Sequence, residues 1–205
     1  MMKRATTLTG HQIFDRAAAG LATILRGGSR RTMHQLSADY SHPHGAGVIG
    51  AGADGLLRAV LVEALTARPG SIEVLMPQDD LLRLFGDLAH RVPREQLDEV
   101  LRVADSLEDT IEYVEEAASA GLGSALKGQQ ILWIATPRAD ADVVYRTLQG
   151  CSGTAVTGLF NGLWPYGPTH VVEEDGPRPR PQRPVRLVTA PQAIVRLDAA
   201  TASRM

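Results

Sequence analysis

The chain has 205 residues, which fits one domain with short additions, and its 44% hydrophobic and 21% charged residues give a globular balance, neither disordered nor fibrous. A net charge of -2 excludes a basic footprint over the whole chain of the kind that holds bulk nucleic acid. The single cysteine excludes a disulfide within the chain and a cysteine-based zinc cluster.

Residues 1–40 form a basic preface. Lys3, Arg4, Arg16, Arg26, Arg30 and Arg31 face one acid, Asp15, before Asp39. The stretch HQIFDRAAAGLATIL carries Asp15 and Arg16 and so does not serve as the apolar core of a signal peptide. Ile13, Ala17, Leu21 and Leu25 recur at helical spacing, which predicts a docking helix over 11–26 before the GGSRR break. Nucleic acid, if bound at all, is expected only at this basic segment. No segment reaches the ~18 apolar residues of a membrane span, and a reducing cytoplasm is the expected compartment.

From residue 41 to the end the pattern alternates. GVIG reads as a buried strand, followed by a helix capped by Asp54 with Leu57, Val60, Leu61, Ala64 and Leu65 inward. SIEVLMP reads as a second strand and DDLLRLFGDL as a helix. VLRVAD follows as a third strand. Ser106 and Asp109 resemble a capping box opening a helix with Leu107, Ile111, Val114 and Ala118 on one face. QQILWIA is apolar on both faces, as a parallel strand inside a sheet should be. ADADVVYRTL reads as a short helix with Val143, Val144 and Leu148 inward, and TAVTGLF as a fifth strand. A strand near 169–174, another at VRLVTA and a closing helix from Pro191 complete the series. Strands alternating with helices predict an α/β fold: a mainly parallel sheet with helices on both faces.

Seven of the 12 prolines lie between Pro165 and Pro191, so GPRPRPQRP at 176–184 is expected to be an extended loop. Arg178, Pro181 and Pro184 have a spacing that an aromatic groove could dock, against the plainer reading of a solvated loop.

The segment with most chemistry is Gly50-Ala51-Gly52-Ala53-Asp54-Gly55-Leu56, between the first strand and the first helix. A glycine-rich turn there lets backbone amides converge on an anion, so these seven residues are the candidate nucleotide-binding set. Gly50, Gly52 and Gly55 fit G-x-G-x-x-G. That dinucleotide fingerprint also wants an acid at the end of the second strand, where the nearest are Asp79 and Asp80, past Pro77; Glu73 lies earlier, inside the strand. Gly50 and Gly55 also have the spacing of the P-loop, G-x-x-x-x-G-K-[ST]. Leu56 and Leu57 stand where its lysine and hydroxyl belong, and the apolar strand Ile131–Ile134 ends at Ala135 without a carboxylate for magnesium. A turn needed only for tight packing of helix on sheet is the preferred reading over a working phosphate cradle.

The loop and first helix VIGAGADGLLRAVLVEAL, the segments IEVLMPQDDLLRLFG, LRVADSLEDTIEYVEEA and QQILWIATP, and the tail TAVTGLFNGLWPYGPTHVVEEDG together resemble the degenerate FtsK/SpoIIIE-type P-loop NTPase-like domains of bacterial multidomain proteins. The resemblance covers 45–175 and none of 1–40. It implies a three-layer P-loop-type fold. It does not imply hydrolysis, because the catalytic lysine, hydroxyl and acid have no counterparts at Leu56, Leu57 and Ala135. The expected function is a non-hydrolytic domain for assembly or regulation that could retain weak nucleotide binding, with a protein partner or a second copy as counterpart. It needs no cofactor or metal; ATP or ADP is the ligand to test, and a Rossmann-type NAD(P)-binding oxidoreductase is the alternative.

Other candidates are weaker. His42 and His44 could share a metal with a third ligand such as Asp79, Asp80 or His170, against the plainer reading of a solvated loop. Cys151 lacks a local nucleophile signature and reads as a small buried residue, and Ser124 and Ser152 lack the G-x-S-x-G elbow. Tyr145 and Lys127 are not in a Tyr-x-x-x-Lys relation. The acid-rich stretch 78–116 reads as the wet face of two amphipathic helices rather than a docking face for a basic partner. Trp164 and Tyr166 read as a loop anchor on the sheet rather than a stacking platform.

Overall fold

The computed structural model describes residues 35–40, 42–66, 72–119, 130–151, 156–178 and 185–203. The helix expected over 11–26, Ser124, Lys127, Ser152, Pro181 and Pro184 lie outside them.

A short helix α1 (Gln35–Tyr40) leads into strand β1 (Ala46–Ile49) and helix α2 (Ala53–Leu65). Strand β2 (Ile72–Pro77) runs straight into α3 (Gln78–Phe85), continued by 3-10 turns at Gly86–Arg91 and Arg94–Gln96. Then come β3 (Leu101–Ala104), α4 (Leu107–Ser119) and β4 (Gln130–Ala135). A 3-10 turn at Arg138–Asp140 precedes α5 (Ala141–Gly150) and β5 (Val156–Asn161). The hairpin β6 (Thr169–Glu173) and β7 (Gly176–Arg178) is followed by α6 (Ala190–Ala202).

Among the described residues the strands form one seven-stranded sheet in the order β3-β2-β4-β5-β1-β6-β7. All neighbours pair in parallel except β7, which lies antiparallel on β6. Because the inner strands are covered on both sides, they read as near-continuous apolar runs. Along β4, Leu132 and Ile134 point into the layer holding α2, α3 and α6, while Ile131, Trp133 and Ala135 point into the layer of α4 and α5. The α/β class with helices on both faces is thus what the chain adopts.

The link from β5 to β6 has no helix. Asn161 pairs level with Val48 and Thr169 level with Gly47, so the chain need only step across β1 instead of returning along it. It crosses at Gly47, where a β-carbon would lie 2.5 Å from the Gly162 carbonyl oxygen and 2.8 Å from the Trp164 β-carbon. Gly162 N donates to Val48 O at 2.9 Å and Gly47 N to Pro168 O at 2.8 Å, which ties both ends of the link to the strand beneath it.

Four sequence expectations need correction. Val143 is 41% exposed; the inward residues of α5 are Val144, Thr147 and Leu148, one step round the helix. VRLVTA is not a strand: Val188 N donates to Gly55 O and Val188 O accepts from Arg58, so its backbone is tied to α2 instead of to the sheet. GPRPRPQRP does not begin as a free loop, since Gly176–Arg178 is the edge strand β7, where Pro177 costs no ladder bond toward solvent. Asp54 does not cap α2, whose N-cap is Gly52. The Ser106–Asp109 cap and the placing of Pro191 stand as expected; the Thr189–Gln192 cap is an addition. Ser106 and Asp109 bond reciprocally across the start of α4 (3.0 and 3.1 Å), and α6 carries Pro191 in its first turn behind a Thr189–Gln192 capping box.

Candidate functional site

The glycine-rich turn sits at the carboxyl end of β1, between β5 and β6. Gly50 takes φ +103°, a backbone state that disfavours any side chain, and a β-carbon there would collide with the Val172 carbonyl oxygen. At Gly52 a β-carbon would collide with the Glu173 carbonyl oxygen, and at Gly55 it would lie 3.0 Å from the Leu187 β-carbon. The glycines therefore let β6 and the 185–189 segment close onto the turn.

The amides of the candidate set are partly spent. Gly52 N donates to Val172 O (2.9 Å), Ala53 N to Gly50 O (3.0 Å) and Leu56 N to Gly52 O (3.0 Å). Ala51 is exposed at the apex. Leu56 and Leu57 are 0% exposed and belong to the core beneath α2. Asp54, in the first turn of α2, pairs with Arg83 of α3.

A carboxylate does stand at the end of β4, but a different element supplies it. Asp80, in the first turn of α3, is 4% exposed. One of its oxygens accepts from Thr136 N at 2.9 Å; the other accepts from the Thr136 hydroxyl and from Arg83 Nε at 3.2 Å. Arg83 thus joins Asp54 to Asp80, and Asp80 joins α3 to the residue after β4. The sequence marks Asp79 and Asp80 as the nearest acids beyond β2. It does not signal the Thr136 partner, which lies 56 residues away.

Beside this chain of contacts a cleft of about 440 Å³ opens at the carboxyl ends of β2, β3 and β4. The chain leaving β2 goes to one face of the sheet and the chains leaving β3 and β4 go to the other, so the cleft lies at a topological switch point, where open α/β sheets commonly bind ligands. Asp79, Asp105, Glu108 and Asp140 line it with Ser106 and Arg138. Arg138 holds φ +49°, the one non-glycine residue with positive φ among the described residues.

The remaining candidates fall elsewhere. His42 and His44 precede β1, at the amino ends of the strands, whereas Asp79 and Asp80 follow β2 at the carboxyl ends, and among the described residues no group of three or more histidine, cysteine or acidic side chains could hold a metal. His170 packs its ring edge-on to Tyr40 at 5.0 Å, and burial pushes its pKa down. Cys151 is buried beside Val114. Trp164 anchors the crossing over β1, its indole N–H donating to His44 O at 2.7 Å and its ring 4.3 Å from that of Phe160. Tyr145 and Tyr166 stack on each other at 4.1 Å. Glu73, inside β2, is buried and accepts from Tyr113 Oη (2.9 Å) and Arg102 Nε (3.0 Å); burial, then this carboxylate, push the Tyr113 phenol up.

Dinucleotide folds place the second strand beside the first, in the order 3-2-1-4-5-6. Here β4 and β5 stand between β1 and β2, about 14 Å of lateral separation at ~4.8 Å per strand. The second strand is therefore not beside the first, as the dinucleotide arrangement requires. No helix among the described residues is long and apolar enough to cross a membrane. No family model, no curated protein and no solved structure matches the chain.

Proposed function

We propose that the chain is a non-hydrolytic, P-loop-like α/β domain that serves assembly or regulation through a protein partner or a second copy. The observation that carries this reading is the burial of Leu56 and Leu57 at the two positions where a P-loop needs a lysine and a hydroxyl. Neither leucine presents a group to a phosphate or a magnesium ion. At the end of β4 the carboxylate of Asp80 is held at both oxygens by Thr136 and Arg83, contacts that tie it into the protein. The oxidoreductase alternative finds no support in the strand order.

Isothermal titration and a phosphate-release assay with ATP and magnesium test the proposal. The expected result is no turnover. Turnover abolished by altering Gly55 would refute it. A thermal-shift series with ATP, ADP, NAD and NADP completes the test: no shift at millimolar ligand is expected, because a ligand that binds the folded state raises the midpoint as its concentration rises. A midpoint that climbs with ATP or ADP alone would assign nucleotide binding without hydrolysis.

A further inference from the structure

We draw no further inference here: the strongest candidate, the polar cleft at the carboxyl ends of β2, β3 and β4, rests on a cluster of acidic side chains around Asp79, Asp105, Glu108 and Asp140, and nothing in the structure shows what those carboxylates would hold.

Discussion

Gly50 and Gly52 carry the tightest backbone contacts around the first β-to-α turn. At Gly50 a side chain meets two penalties, a left-handed backbone state and a collision with the Val172 carbonyl oxygen. At Gly52 the collision with the Glu173 carbonyl oxygen remains, and the Leu187 δ-carbon lies 2.8 Å from the added carbon. Overpacking of this kind costs about 1–3 kcal/mol, so Gly50→Ala and Gly52→Ala should each lower the urea midpoint by that equivalent. Gly150 is the control, because a β-carbon there meets nothing within 4 Å. Gly150→Ala should move stability by no more than about 0.5 kcal/mol. Equal midpoints for all three variants would show that the glycines are not there for close packing. The glycine spacing was legible in the sequence, and so was the turn it makes. The packing partners were not, because Val172, Glu173 and Leu187 lie more than a hundred residues further on and no local periodicity points to them.

Contacts between elements explain why α2 and α3 hold their places on one face of the sheet. Arg58 of α2 donates to Val188 O and Leu84 O, both at 2.6 Å, so one side chain satisfies carbonyls on two neighbouring segments. Asp80 does the corresponding work at the end of β4. Asp80→Ala would leave the Thr136 amide without its acceptor and Arg83 with one carboxylate fewer, in a site where Asp80 is nearly closed to water. Removing one partner of a buried pair costs about 3 kcal/mol. Asp80→Asn keeps an acceptor for Thr136 and should cost less, about 1–2 kcal/mol. A smaller loss for alanine than for asparagine in chemical denaturation would contradict this account. The contact between α1 and β6 predicts a pH effect. Burial of His170 against Tyr40 lowers its pKa, so the folded state favours the neutral ring. Below the ordinary histidine pKa of about 6.5 the unfolded chain takes up a proton before the folded one does, so stability falls as pH drops through that point. His170→Phe keeps an aromatic edge beside Tyr40 and should flatten the fall in stability that sets in below about pH 6.5. An unchanged slope would remove His170 as its source. Element types were legible wherever apolar period and punctuation agreed, as at β4 and α4. They failed at 185–189, where the apolar Val185, Leu187 and Val188 mimic a strand although the backbone bonds to a helix.

Periodicity tells which face of a strand is buried, but not which strand lies beside it, so the sheet order could not be read from the sequence. That order has a consequence for the whole molecule. β1 is the first strand among the described residues, yet both of its neighbours, β5 and β6, lie more than a hundred residues later. The sheet is therefore incomplete around its glycine turn until the last third of the chain is present. The same holds for the core on the α2 face, which draws on Val172, Val188, Ile194 and Leu197. A chain ending at residue 161 would keep five of the seven strands but leave β1 as an edge. Gly50 and Gly52 would then face no partner backbone, and the apolar residues of α2 that meet this late segment would be open to water. At roughly 1.5–3 kcal/mol per buried side chain, loss of Val172, Val188, Ile194 and Leu197 is comparable to the 5–15 kcal/mol by which an ordinary domain is stable, and the uncovered face of α2 adds to it. The shortened chain should show no cooperative thermal transition by circular dichroism and should bind a hydrophobic dye, whereas the full chain should melt in one step. A sigmoidal melt of the shortened chain at the full-length midpoint would mean that the first five strands are stable by themselves and that the late segment is an appendage.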